Sequence, residues 1–287
     1  MKFCAVDEYR SEYPLKIMCK ALGVSKSGYH AWRTRLASRR KAEEFRLLRL
    51  VEKVHLGSRG TYGSPRVHAV LAGLGESCSE PRIARLMKRH GIRAKTKRKF
   101  KATTNSKHCF PVARNVLNRE FEVAAPNQVW AGDITYIWTK QGWLYLAVVL
   151  DLYSRKVIGW AMEPTLGSEL ALNALKMAIR QRKPQPGVLY HSDRGTQYAS
   201  KAYQDLLKAY KMRCSMSRKG NCWDNSVVES FFGTLKQEHI FFSDFDTRNE
   251  AKSSVFEWIE GFYNRERLHS TLGYQSPEEY ERLAKVA

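Results

Sequence analysis

Gln128 to Met162, QVWAGDITYIWTKQGWLYLAVVLDLYSRKVIGWAM, is the stretch whose reading decides the fold. Three β-rich runs, Gln128–Trp138, Trp143–Tyr153 and Lys156–Met162, are separated by turns at Lys140-Gln141-Gly142 and Ser154-Arg155. That pattern predicts a three-stranded antiparallel meander. Downstream, Ser168–Arg182 carries Leu170, Leu172, Leu175, Met177 and Ile179 and reads as a helix. A short strand at Gly187–His191, a helix at Lys201–Tyr210 and a strand at Met212–Met216 follow. Meander, crossover helix, parallel strand, helix and strand make a mixed five-stranded α/β sheet with helices on its faces, in the ribonuclease-H-like order.

Within that order Asp133 falls in the first strand and Asp193 just past the fourth. If the two strands are neighbours, their carboxylates converge at one edge of the sheet, where α/β ligand sites lie. Taken singly, Asp133 reads as a strand-end residue and Asp193 as a turn former with Gly195. A third acid comes from Asn221–His239, NCWDNSVVESFFGTLKQEH. Val228, Phe231, Phe232 and Leu235 recur at helical spacing, with Asp224 and Asn225 placed to cap the helix. Glu229 sits about one turn in, and Lys236, seven residues on, projects from the same face. Ser226 and Glu229 also match a capping box, the plainer reading of that acid. Three hard oxygen ligands suit Mg²⁺ or Mn²⁺. Two such ions would drive an in-line displacement at phosphorus. Asp151 reads as a structural or more distant carboxylate and Asp224 as a cap.

The chain has 287 residues with a formal charge of +21, and residues 1–120 hold 28 Lys and Arg against 9 Asp and Glu. A first part this basic expects a polyanion, and nucleic acid is the usual one. Pro14–Leu36 has helix-turn-helix spacing around Gly23-Val24-Ser25, with Ser25 as N-cap of the second helix. Ala42–Leu56, Pro65–Leu74 and Ser79–His90 read as three further helices, the last capped by Ser79. Arg66, Arg85, Lys88 and Arg89 on them, and Lys97, Arg98 and Lys99 in the basic run after them, are candidate DNA contacts. Arg248–Arg267 reads as one long amphipathic helix ending in Arg265, Arg267 and His269, which would grip phosphate. His191 and His269 otherwise read as hydrogen-bonding partners.

The expected division is therefore a helix-turn-helix-like segment at 1–40, a helical DNA-binding module at 41–95 and a basic linker at 96–122. A catalytic core at 123–245 and a helical extension at 246–287 complete it. The six Cys at 4, 19, 78, 109, 214 and 222 show no zinc spacing and expect reduced thiols. No signal peptide or membrane span is apparent, so a soluble intracellular protein is expected.

Four motifs stand in order: W-x-x-D-I-T-Y at Trp130–Tyr136, H-S-D-R-G-x-Q-Y at His191–Tyr198, N-C-W-D-N-S-x-x-E-S-F-F-x-x-L-K at Asn221–Lys236, and Y-N-x-x-R-x-H-x-x-L-G-Y at Tyr263–Tyr274. Together with the Val24–Trp32 segment and the Y-G-S-P-R-V block at Tyr62–Val67, they closely resemble the DDE transposases of insertion sequences, of the family numbered three and its OrfB product. The resemblance implies an integrase-like core with Asp133, Asp193 and Glu229 as catalytic acids on Mg²⁺, and Lys236 at the DNA end. It implies 3′-end cleavage of the element at its terminal inverted repeats and strand transfer to flanking or target DNA. A homo-oligomer on DNA and an upstream OrfA protein or fusion are the implied partners. The rival expectations are a catalytically inactive DNA-binding regulator of the element and a nuclease that cuts without joining.

Overall fold

The computed structural model describes residues 1–34, 39–95 and 111–284. Lys97, Arg98 and Lys99, with most of the basic linker, lie outside the described residues. The chain divides into two compact units, Met1–Lys53 and Val54–Ala287.

The first unit holds α1 (Lys2–Glu8), α2 (Leu15–Ala21), α3 (Lys26–Thr34) and most of α4 (Arg39–Gly57). Its small core is Val6, Cys19 and Tyr29, with Phe3, Leu15, Met18, Leu22, Val24 and Trp32 packed around them. Ser25 caps α3 as expected, accepting the Gly28 N–H at 3.0 Å. The sequence reading has no counterpart for α1, whose acidic Asp7 and Glu8 mask a helix that buries only Val6.

The second unit opens with two short helices, α5 (Ser64–Gly73) and α6 (Glu80–Arg89). Each starts with a proline in its first turn, where the missing N–H costs nothing. Ser79 occupies the N-cap position of α6, but its side chain makes no cap hydrogen bond. Ile83, Leu86 and Met87 turn inward from α6, leaving Arg85, Lys88 and Arg89 exposed.

The sheet follows: β1 (Val129–Thr139), β2 (Gly142–Asp151), β3 (Val157–Glu163), β4 (Leu189–Ser192) and β5 (Arg213–Met216). Its order is β3-β2-β1-β4-β5, with the first three antiparallel and β4 and β5 parallel to β1. This is the mixed ribonuclease-H-like sheet that the sequence predicts. The crossover helix α7 (Ser168–Arg182) covers one face with Leu170, Leu175 and Ile179. It packs so closely on β3 that a Cβ at Gly159 would lie 2.3 Å from the Ala174 carbonyl oxygen. The short α8 (Thr196–Ala199) and α9 (Lys201–Ala209) lead to β5. On the other side of β1, α10 (Ser226–Glu238) buries Val228, Phe231, Phe232 and Leu235.

The long helix expected at Arg248–Arg267 is a correction. It is α-helical only as α11 (Arg248–Phe256) and widens into a π-helical stretch at Glu257–Tyr263. The wider turn seats Trp258, Ile259, Phe262 and Tyr263 together in the core, with Phe231 meeting Trp258 and Tyr263. The chain ends in α12 (Pro277–Ala284). No helix among the described residues is long and apolar enough to cross a membrane.

The C-terminal motif binds the chain to itself. Asn264 pairs with Val157 as a peptide would, donating to its carbonyl and accepting its N–H, at 2.9 and 3.0 Å. Arg267, only 4% exposed, grips Glu238 at the end of α10 through two hydrogen bonds of 2.6 and 2.7 Å. Arg66 on α5 lies 3.7 Å from the same carboxylate, and its guanidinium sits over the Tyr62 ring. Tyr62 in turn accepts the Leu268 N–H at 2.8 Å. Arg267 is therefore buried and paired within the fold rather than turned to DNA, while Arg66 and His269 beside it keep partly exposed side chains. Arg265 remains exposed, 3.9 Å from Glu278.

Candidate active site

β1 and β4 run parallel in the register Val129 to Leu189, Trp130 to Tyr190 and Ala131 to His191, an offset of 60 residues. The ladder closes at Ala131 and His191, two residues before Asp133 and Asp193, so both acids follow the same end of the β1–β4 pairing. β4 stops at Ser192 because Asp193 turns the chain, its Oδ1 accepting the Gly195 N–H at 2.8 Å. Asp133 is only partly exposed, and its Oδ1 accepts the Ile134 N–H at 2.7 Å.

The backbone beside Asp133 is tightly fitted. Tyr190 of β4 lays its hydroxyl over Gly132, where a Cβ would meet it at 1.9 Å. Asn225, at the start of α10, donates to the Gly132 carbonyl at 3.3 Å and thereby ties that helix to β1. Its Oδ1 is buried without a hydrogen-bond partner among the described residues.

Glu229 occupies the exposed first turn of α10 and Lys236 the last. Burial, then Asp193, then Glu229 push the Asp133 carboxyl well above its ordinary range, against the pull of the Ile134 N–H and Lys236. Glu229 is raised too, by burial and then by Asp193. Lys236 is lowered by burial and held up by Asp133, with its Nζ 4.6 Å from the Tyr136 ring centre. Asp133 thus feels both other acids as well as Lys236, and Glu229 feels Asp193. Among the described residues no three His, Cys, Asp or Glu side chains are gathered tightly enough to hold one ion together. Even so, the donor set fits a hard divalent cation. It is all oxygen, and its mutual repulsion is what such an ion relieves.

The two rival carboxylates are structural. Asp151 is fully buried, accepts the Asn127 and Tyr153 N–H groups, and is raised to about 6 by that burial. Asp224 is not the cap expected of it. Buried at 0% exposure, it gathers Arg218, Arg119 and Asn115 around one carboxylate, and Arg218 holds it well below the usual range. No side chain caps α10, and Asn221 caps the turn before it instead. His191 is buried between the Ser215 and Ser217 hydroxyls, and burial lowers it to about 4, the hydrogen-bonding role expected.

Two features escaped sequence reasoning. Glu238 is the hub for Arg267 and Arg66, and its signal was its place nine residues after Glu229, at the end of the apolar stripe. Trp138 and Trp143 stay exposed at the hairpin tip, on the pleat opposite the buried Ile137 and Leu144.

Family comparisons agree with this architecture. A profile for the integrase core domain matches residues 123–222, a second of the same description matches 210–277, and one for an HTH-like domain matches 42–100. An uncharacterized 31 kDa protein of insertion element IS600 from Shigella sonnei is 46% identical over 93% of this chain and 100% of its own length. Transposase InsF for insertion sequence IS3A from Escherichia coli K12 is 43% identical over 98% of both chains. The HTLV-2 integrase catalytic core domain, solved in complex with magnesium, is 17% identical, covering 55% of this chain and 97% of that one with a TM-score of 0.42. With nearly its whole length aligned to such relatives, the chain belongs to the DDE transposases of the IS3 insertion-sequence family, polynucleotidyl transferases of transposition and DNA integration.

Proposed function

We propose that Asp133, Asp193 and Glu229 are the three catalytic acids and hold one or two Mg²⁺ ions, with Mn²⁺ as a substitute. The observation that carries this is the β1–β4 pairing, which brings the strand of Asp133 beside the turn of Asp193, with the helix of Glu229 tied to Gly132 by Asn225. Bound there, the ions would supply activation of the attacking oxygen and neutralisation of charge at phosphorus. Asp133 and Asp193 form the rigid pair on the sheet, and Glu229 closes from the exposed turn of α10. Lys236 anchors a phosphate of the DNA end beside the acids, a position its partial burial makes electrostatically strong.

The same reading divides the labour along the chain. The helical segments at 1–40 and 41–95 grip duplex DNA, with Arg85, Lys88 and Arg89 of α6 turned to solvent for phosphates. The linker at 96–122 leads to the core at 123–245 and its extension at 246–287. Hydrolysis at the terminal inverted repeat frees a 3′-OH. Its oxygen then attacks a second phosphodiester, in flanking or target DNA, forming one P–O bond as another breaks. A homo-oligomer on DNA, an OrfA partner and a cytoplasmic location belong to this reading.

Cleavage of end-bearing DNA in Mg²⁺ against EDTA tests it. Asp193→Asn should bind DNA nearly as well as the parent while losing cleavage and strand transfer. Comparable cutting by that variant would end the assignment.

A further inference from the structure

The antiparallel pair β1 and β2 reaches past the helices that cover it. Ile134 and Tyr145 still pack against the core under α7. Beyond them, Trp138 and Trp143 stand directly opposite each other in register, 58% and 43% exposed. An aromatic side chain carries about 150–250 Å² of surface, so two left in water are a substantial apolar area at a hairpin tip. Their rings meet edge to face at 4.8 Å, and Tyr136 meets Trp143 the same way at 5.0 Å. No ring of the three is stacked flat on another. The row ends at Lys236, whose ammonium sits 4.6 Å from the Tyr136 ring centre. The rings are thus continuous with the cation that faces the carboxylates.

Charge at the tip is met internally. Lys140 is bridged by Asp246 at 2.5 Å and Asp244 at 3.6 Å, and the Arg248 Nε donates to the Trp143 carbonyl at 3.1 Å. The attraction the tip offers is that of the rings, which suits bases rather than phosphates. Trp138 lies five residues along β1 from Asp133, roughly 17 Å of extended strand, and the odd separation puts its ring on the other face of β1, so the path between them turns past Lys236 where β1 has lost its β4 partner.

We propose that Tyr136, Trp143 and Trp138 form a stacking platform for unpaired bases of the DNA strand that passes the carboxylates. This rests on the reading of the acids above and adds to it a requirement for melted nucleotides beside the reacting phosphate. Stacking on such rings accepts any base, because every base has a π face.

The test uses the full chain in EDTA with a fluorescein-labelled duplex ending in a five-nucleotide thymidine overhang, in the same overhang made abasic, or blunt. The parent protein should prefer the base-bearing overhang to the abasic one by roughly tenfold. Trp138→Ala with Trp143→Ala should remove most of that preference while leaving blunt-duplex affinity and its salt dependence unchanged. Trp138→Phe with Trp143→Phe should keep most of it, and the single Trp138→Ser variant, at the more exposed position, gives an independent reading. Equal affinity of the parent for thymidine and abasic overhangs would overturn the proposal, as would an unchanged preference in the double alanine variant. So would a fall from oligomer to monomer with the preference intact, which would make the tip a contact between copies. Cutting by Asp193→Asn would instead sink the assignment of the acids, independently of the platform's result.

Discussion

Ala131 and His191 close the β1–β4 ladder in register, and two residues beyond them come Asp133, still on β1, and Asp193, in the turn where β4 has ended. Two carboxylates so placed store repulsion in the ion-free protein, and Glu229 adds to it. Asp133→Asn should therefore leave the melting temperature in EDTA unchanged or raised, while abolishing the Mg²⁺-induced rise seen in the parent. Equal rises in the two proteins would refute a shared ion site. Because the folded Asp133 is raised above its unfolded value, its contribution to stability without metal is greatest at low pH and is lost as pH rises through the folded value. Melting in EDTA across acid to neutral pH, with and without the substitution, reads that slope.

Glu238 holds a buried arginine. Glu238→Ala strands the Arg267 guanidinium, and breaking a buried pair from one side costs about 3–5 kcal/mol. Urea unfolding should show a loss of that size, and Glu238→Ala combined with Arg267→Met should recover part of it. A loss below about 1 kcal/mol would place the pair among ordinary surface bridges.

Gly132 yields its side-chain space to Tyr190. Gly132→Ala should destabilise by about 1–3 kcal/mol, the usual cost of overpacking. In a double-mutant cycle the loss should shrink in the Tyr190→Phe background, since the hydroxyl is the atom at 1.9 Å from the added Cβ. Strict additivity would mean that the strain falls elsewhere.

His191 is neutral in its serine cradle, lowered to about 4 by burial. Its folded value lies below the unfolded one, so the unfolded chain binds more protons between about 6.5 and 4. Stability should fall as pH drops through that window, and His191→Gln should flatten the fall. His269, lowered to about 3 by burial and by Arg267, Arg66 and Arg155, leaves a residual slope. Asp133 and Asp151, raised by burial, slope the opposite way, so the check is the difference between parent and His191→Gln, and an identical pH dependence of the two would contradict the prediction.

Much of the sheet was legible because its strands advertise themselves. The crossover helix was read at Ser168–Arg182, the range it occupies, and the meander came within two residues at every end. That strands one and four are neighbours follows from the topology the sequence predicts, and the parallel β1–β4 pairing bears it out. What the sequence could not separate was charge that meets solvent from charge that meets charge. Arg265 and Arg267 are two residues apart in one basic cluster, yet one is exposed and the other is locked to Glu238, a partner 29 residues away. Asp224 misled for the same reason, since one of its arginines, Arg119, comes from 105 residues upstream and only Arg218 is near it in the chain. The widened turn at Glu257–Tyr263 leaves the amphipathic pattern nearly intact and so gave no warning.

β1 and β2 run for 11 and 10 residues, while β4 and β5 have only four each. The sheet is therefore a stair rather than a slab, with the acids in the angle of the step. A long, stiff rod can be laid into an angle from the side, whereas a tunnel must be threaded from a tip. An enzyme built this way can attend to a bond in the middle of an uninterrupted molecule as readily as to one near its terminus, and joining DNA to DNA demands both.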